Sequence, residues 1–538
     1  MSTPAAIKNY LQTTLHQLEG FLNSPRFKNI KRPYQAADLV KFKGTLPIEY
    51  PSSHQSKKLL KLLNENFTQR TPVHTLGVTD PVQLTQLGDI EVVYVSGWAC
   101  SSLLTATNEV GPDIGDYTYN TVPNQVERLF KAQLHHDRKA LYNHQVQGDE
   151  KMVDYLKPII ADADTGHGGN STVMKLTKLF VEKGASAIHF EDQLHGAKKC
   201  GHLSGKVLVP TSTHVQRLIA SRLQMDIMGV ENLIIARTDS ESATLLSSDI
   251  DPRDHDVILG VRDDLSKVVP LSEALARAEL QGKSSTEIAD LELDWLAENK
   301  LYTFDELVKI ILQEKSLFDE ELYQEYRLQS QHRSINDRKD ILNELLSLDT
   351  ELSIPFNHYA PRTREGYFLI RPTLDNAIER SLSFAPYADL LWLETKTPDL
   401  QVAKDFSSRI HAVYPHMKLV YNLSPSFNWS AQGFNETQLK DFIWELAKLG
   451  FTLQLVSLAG LHSNGVSFAE LAEGYLVNGM KSYVDLVQSK EKQLNVDLLK
   501  HQAWSGIGYA DGVLELINNG GGSMSSSTGG EGNTETQF

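Results

Sequence analysis

The chain has 538 residues, a formal charge of −16, and 41% hydrophobic against 22% charged residues. That length allows several domains or one large barrel with an insertion, and the balance is that of a globular protein in water. The negative charge argues against general binding to a phosphate backbone, and no apolar run is long enough for a transmembrane helix. Two cysteines, Cys100 and Cys200, make no disulfide framework and suit a reducing compartment.

Residues 1–25 read as a flexible N-terminal segment. Met1 to Asn23 carries one lysine and one glutamate, whereas a mitochondrial leader is richer in arginine and poorer in acid, so its composition assigns no compartment. From residue 26 to 260, short β-prone runs end in polar residues before a helical stretch. Val92-Val93-Tyr94-Val95 runs into Ser96-Gly97-Trp98, Ile159-Ile160-Ala161 into Asp162, Ile188-His189-Phe190 into Glu191-Asp192, and Ile234-Ile235-Ala236 into Arg237. Residues 261–350, rich in Glu, Lys, Leu and Gln with helical periodicity, read as a helical insertion with solvated charges. A short strand is expected near Ile354-Pro355-Phe356. Residues 351–512 resume the pattern: Leu390-Leu391-Trp392-Leu393 runs into Glu394, Leu419-Val420-Tyr421 into Asn422, and Leu453-Gln454-Leu455-Val456 into Ser457. Residues 513–538 read as a flexible tail, Gly- and Ser-rich from Asn518 to Asn533. The terminal Thr536-Gln537-Phe538 is not a peroxisomal address.

Continuous apolar runs separated by helices mark parallel strands buried on both faces. Polar groups at every strand's C-terminal end point to an α/β fold, a (β/α)8 TIM-type barrel. A doubly wound sheet would gather its chemistry at one switch point.

Lys198-Lys199-Cys200-Gly201-His202 packs a thiol, two cations and an imidazole into one loop. A thiolate is the reactive form of cysteine, and neighbouring Lys or protonated His stabilises it. Asp162 and Asp164 are at i and i+2, the same face of a strand, and Gly166, Gly168 and Gly169 turn the chain into a helix near Thr172. With Glu191 at the next strand end, these carboxylates need a cation, and oxygen-only ligands suit Mg²⁺. Arg237 can hold a carboxylate in a bidentate fork. Asn422, Ser424 and Ser426 alternate along an extended segment and offer neutral donors to a second carboxylate. His189 is an inward-facing barrel histidine, either packed core or part of a site.

The motifs Ser96-Gly97-Trp98, Ala161-Asp162-Ala163-Asp164-Thr165-Gly166-His167-Gly168-Gly169, Lys198-Lys199-Cys200-Gly201-His202, Ala236-Arg237-Thr238-Asp239 and Asn422-Leu423-Ser424-Pro425-Ser426-Phe427-Asn428-Trp429 resemble the isocitrate lyase family of the phosphoenolpyruvate mutase superfamily. The resemblance runs from about Arg26 to Gly512, and the insertion looks like the family's eukaryotic branch. Arg26-Phe27-Lys28-Asn29-Ile30-Lys31-Arg32-Pro33-Tyr34 and Leu393-Glu394-Thr395-Lys396-Thr397-Pro398-Asp399 are similar to the fungal mitochondrial 2-methylisocitrate lyases within it. The resemblance implies an α/β barrel whose eighth helix is exchanged between subunits of a homotetramer. It also implies a Mg²⁺-dependent lyase acting on a small tricarboxylate in the mitochondrial matrix, with the cytoplasm as the alternative. The products are succinate and pyruvate from 2-methylisocitrate, or succinate and glyoxylate from isocitrate.

By the same resemblance, Cys200 is the general acid, tuned by Lys198, Lys199 and His202, and Tyr94 is a candidate base. Ser96, Gly97 and Trp98 hold the oxo-acid half of the substrate. Arg237, Glu394, Asn422, Ser424, Ser426 and Ser457, with Gly201 and His202, complete the substrate site. Asp162 lies nearest the metal, supported by Asp113, Asp164 and Glu191. Isocitrate lyases usually carry Gln where Ala99 stands and Gln-Phe-Ile-Thr where this chain reads Gln454-Leu455-Val456-Ser457. The smaller residues leave room for an extra methyl, worth about 1–3 kcal/mol of discrimination. The Lys-Lys-Cys-Gly-His loop argues against a phosphonate mutase or an oxaloacetate decarboxylase-like lyase. An inert homologue would lack Cys200 or Asp162, and both are present.

Overall fold

The structure, a computed structural model, describes residues 3–148, 152–263, 268–348, 350–519, 527 and 533–538. Eight parallel strands close into a barrel: β1 (Val73–Gly77), β2 (Val92–Val95), β3 (Ile159–Asp162), β4 (Ala187–Glu191), β5 (Leu233–Thr238), β6 (Leu390–Leu393), β7 (Lys418–Asn422) and β8 (Leu453–Val456), with β8 pairing back onto β1. The expected barrel class is therefore what the chain adopts. β2 to β6 are buried at every residue because helices such as Asn170–Lys183, Thr211–Met228 and Leu374–Phe384 cover the outside while side chains fill the inside. Tyr94, Ile160, Ile235, Trp392 and Leu455 belong to the interior layers.

The apolar runs did not reveal β1. Its burial alternates, with His74 exposed and paired to Glu91 (3.0 Å). The reason lies across the seam. The helix after β8, Ala459–Asn478, touches β1 but buries only Gly460. It turns Val466, Phe468, Leu476 and Val477 to solvent. A strand covered on one face reads as alternating, not as a run.

Residues 4–22, expected to be flexible, form a helix. Pro4 opens it and Thr3 Oγ1 caps the Ala6 amide. Its Leu15, Leu18 and Leu22 pack with Tyr34, Leu39, Leu223 and Ile227. Just beyond, Arg26 meets Asp389 (2.6 Å) and Arg32 meets Asp226 (2.6 Å), buried pairs that tie the N-terminal segment to the barrel.

The insertion is helical as expected, with helices at 271–280, 285–298, 304–314, 320–330 and 335–346. It has its own core around Phe304, Leu307, Ile311, Tyr326 and Leu342. Phe356–Asn357, the strand expected near Ile354, joins Leu259–Arg262 and Leu301–Thr303 in a small antiparallel sheet.

The tail departs from expectation at both ends. Residues 513–517 belong to the helix Ile507–Ile517. Thr534–Gln537 form a 3-10 turn, and the buried Glu535 carboxylate accepts from the amides of Gln502 (2.5 Å) and Ala503 (3.1 Å). The Gly- and Ser-rich stretch between lies almost wholly outside the described residues. No helix among the described residues is long and apolar enough to cross a membrane.

Candidate active site

Parallel pairing lines up the strand ends. Asp162 stands opposite His189, Glu191 opposite Arg237, and Arg237 opposite Trp392. A cavity of about 230 Å³ opens over these ends. One wall carries Ser96, Trp98, Asp113 and Asp162. The Lys198, Cys200, Gly201 and His202 loop forms a second. Arg237, Glu394, Asn422, Ser424, Ser426 and Ser457 form the third, with Tyr94 lining it from β2. Trp392, Pro425, Leu458 and His462 also line it and were missed. Trp392 was legible only as strand interior, and Leu458 and His462 follow β8 at the start of a helix that composition alone does not aim at the cavity. Lys199, Gly97, Asp164 and Glu191 do not line it.

The carboxylates converge, but not by strand alternation. β3 ends at Asp162, and Asp164 sits beyond it in a left-handed turn, φ 49°. Its amide donates to Asp162 Oδ1 (2.9 Å). A side chain at Gly97 would meet Tyr117 Oη, Asp164 Oδ2 and Asp162 Oδ2 at 2.6, 2.9 and 3.0 Å, so only glycine lets this backbone approach both acids. The Gly97 amide donates to Asp162 (3.0 Å) and Tyr117 donates to Asp164. Ser96 Oγ caps the amide of Ala99 (3.3 Å) at the head of the short helix 97–103.

Lys198 Nζ lies buried between Asp113 (2.5 Å) and Asp164 (2.6 Å). Its ammonium is engaged with these carboxylates, and its charge also acts on the Cys200 thiol, lowering it less than burial raises it. Burial favours neutral Asp164, but Lys198 and His167 outweigh it and hold that carboxyl well below its usual range. Asp162 and Asp113 are each pushed up to about 6, first by burial. Lys199 contributes its backbone: its amide donates to Gln193 Oε1 and its carbonyl accepts from Gln193 Nε2, both at 2.9 Å.

Burial pushes the Cys200 thiol up from its ordinary value, and the His202 amide does not reverse this. Burial thus favours the protonated thiol over the thiolate that the neighbouring cations would stabilise. Burial likewise pushes His202 down, and its Nε2 lies 3.6 Å from Glu394. Tyr94 Oη is 2.9 Å from His189 Nε2 and 3.3 Å from Asp162. Burial and then the Asp162 charge push the phenol of Tyr94, the candidate base, well above 10. His189 is buried and pushed down to about 3, first by burial, so the imidazole is neutral.

Arg237 makes its bidentate fork with Asp239 (3.0 and 3.1 Å) and reaches Glu191 (3.4 Å) and Glu394 (3.9 Å). Glu191 thus meets Arg237 through Oε2 and keeps its buried Oε1 without a partner. Asn422 donates to Glu394 (3.1 Å), and Ser424 Oγ accepts from the Ser426 amide (3.1 Å).

Among the described residues no three His, Cys, Asp or Glu side chains gather as a ready metal shell. The donor set nevertheless fits a hard cation. Asp162 faces the cavity beside Asp113, whose Oδ1 is buried without a partner, and every donor is an oxygen.

The isocitrate lyase family model matches residues 14–538. The chain is 54% identical over 548 residues to a mitochondrial 2-methylisocitrate lyase of Saccharomyces cerevisiae, covering 99% of this chain and 94% of that one. It is 50% identical over 535 residues to a mitochondrial 2-methylisocitrate lyase of Hypocrea atroviridis, covering 98% and 94%. An isocitrate lyase of Saccharomyces cerevisiae is 41% identical over 551 residues, covering 99% and 97%.

Proposed function

Because the chain belongs to the isocitrate lyase family, we propose that it is an oxo-acid lyase that cleaves 2-methylisocitrate to succinate and pyruvate in the mitochondrial matrix. The observation that carries this reading is the placing of Cys200 in one cavity between a carboxylate wall and a wall of arginine and neutral donors. A carbon–carbon cleavage that leaves a carbanion needs that combination.

Asp162 and Asp113 would hold Mg²⁺, with Asp164 supporting from behind. Bound there, the ion withdraws charge from the substrate hydroxyl and its neighbouring carboxylate. A base takes the hydroxyl proton, the hydroxyl oxygen becomes the carbonyl of the oxo acid, and the electron pair of the broken carbon–carbon bond passes to the succinate half. Cys200 delivers its proton to that carbon; a neutral thiol can do so and a thiolate cannot. Arg237, Asn422, Ser424, Ser426 and Ser457 bind the succinate carboxylates, and Ser96 and Trp98 the oxo-acid end. The ammonium of Lys198 offsets the carboxylate charge crowded behind the substrate.

The preference for the methylated acid is supported by the names of the relatives at 54% and 50% identity. Of the smaller residues, Ser457 lines the cavity. Leu455 acts from beneath, in the interior layer it shares with Tyr94 and Trp392, both of which line the cavity. A homotetramer with exchange of the helix Ala459–Asn478 is part of this reading, supported by the exposed apolar side chains Val466, Phe468, Leu476 and Val477 along it.

The test is purified protein with Mg²⁺ on each acid, with pyruvate and glyoxylate measured separately. Higher kcat/KM on 2-methylisocitrate is expected. A preference for isocitrate would make the second reading, an isocitrate lyase in keeping with the relative at 41%, the right one.

A further inference from the structure

Two buried side chains outside the substrate site hold the ends of the Cys200 loop. Lys206 is fully buried, and its Nζ donates to the Gly201 carbonyl (2.7 Å) and to Asp239 Oδ1 (3.1 Å). That same Asp239 receives the fork of Arg237. The other face of Gly201 is pressed onto Arg237 and Glu394, where an added methyl would meet Arg237 Nη2 at 2.7 Å. At the loop's start, the fully buried Gln193 amide is matched donor to acceptor and acceptor to donor with the Lys199 backbone.

We propose that Lys206 and Gln193 are positioning residues that set where the Cys200 thiol stands over the cavity, and that Asp239 couples this setting to the substrate-binding Arg237. This rests on the lyase reading for its catalytic meaning, but the positioning itself does not depend on which acid is cleaved. A neutral thiol must point its proton at one carbon. Lys198 anchors the loop to Asp113 and Asp164, and the bonds at its two ends set the peptides on either side of the thiol. An ammonium bonded to a peptide carbonyl in a fully buried setting is a strong bond to leave unmade. Because Asp239 serves Arg237 and Lys206 together, a substrate carboxylate that draws on Arg237 also reaches the loop through one shared carboxylate.

The test uses full-length Lys206→Met and Gln193→Leu, each near its parent in shape. Three quantities are read: the thermal unfolding midpoint, kcat and KM with Mg²⁺, and the rate of Cys200 alkylation by iodoacetamide without substrate. Cys100, the other cysteine, is buried and is replaced by alanine in all proteins compared. Both variants are expected to unfold cooperatively and to alkylate faster by about ten- to a hundredfold, the range for losing a hydrogen bond to a charged group, with less for Gln193→Leu. In both, kcat falls while KM changes little. Folded variants with wild-type alkylation rates would overturn the proposal. If Lys206→Met does not fold, Gln193→Leu decides by the same measure. Faster alkylation in a protein whose parent cleaves neither acid would sink the lyase reading and leave the positioning role standing.

Discussion

Gly201→Ala adds one methyl at the tightest point between the Cys200 loop and the barrel. The new carbon would lie 2.7 Å from Arg237 Nη2 and 2.9 Å from both Cγ and Oε1 of Glu394. Neither neighbour can yield easily. Arg237 is held by both oxygens of Asp239, and Glu394 by Asn422. Ordinary contact is about 3.5 Å or more, so the loop must rise by about 1 Å. A displacement of that size at reacting groups costs about a hundredfold in rate. The unfolding midpoint should barely change, because the strain is relieved at the cavity mouth and not in the core. Steady-state assays of oxo-acid release from 2-methylisocitrate with Mg²⁺ measure the effect. Gly20→Ala, where the added methyl meets nothing within 4 Å, is the control and should be neutral or slightly stabilising in its helix. If Gly201→Ala keeps more than about a third of the wild-type kcat, the loop's position is not what limits proton delivery, and the reasoning from thiol-to-carbon geometry fails.

Cys200→Ser should lower kcat by about 10²–10⁴-fold with the fold intact, since a hydroxyl is a far weaker acid; retention of a tenth of the rate would remove the thiol from the chemistry. Chelation by EDTA should abolish turnover and Mg²⁺ restore it, and Asp162→Ala should not be rescued by added metal; full activity in metal-free protein would refute the metal assignment. Buried Asp389 is held down at about 2 by Arg26 and Arg222 against the raising effect of burial, a departure from 3.8 worth about 2 kcal/mol. Because the folded value is depressed, that contribution is complete above about pH 4 and is lost as pH falls through about 2. In urea titrations Asp389→Asn should therefore be less stable than wild type at pH 7, with the gap closing on acidification; a gap that widens would contradict the sign.

The interior strands could be read from sequence because both their faces are covered, which makes β2 to β6 continuous apolar runs. β1 could not, since its burial alternates and His74 faces water. The acidic wall was visible as Asp162 and Asp164, but the geometry joining them was not. A left-handed aspartate after a strand has no signature beyond the glycines that follow it. The direction of the thiol's shift was also hidden. Lys198 beside Cys200 in sequence suggests a thiolate, yet its ammonium is drawn to Asp113 and Asp164, and burial then governs the thiol. The N-terminal helix was hidden by its mixed composition; its leucines pack with Tyr34 and Leu39 nearby and with Leu223 and Ile227, some two hundred residues on.

The closure of β1 by β8 also fixes an order of events during synthesis. About 380 residues separate the two strands, so at about 5–20 residues per second the free edge of β1 waits roughly 20–80 s for its partner. An exposed edge of that duration invites pairing with other nascent chains. β1 is short, alternates, and carries an outward histidine paired to Glu91, features that blunt such an edge. The Arg26–Asp389 bond imposes a similar delay, since its acceptor precedes β6. The insertion, with a core of its own, lengthens the wait without needing the barrel to be complete. The polar alternation that makes β1 hard to read is thus also what keeps an unfinished barrel from recruiting its neighbours.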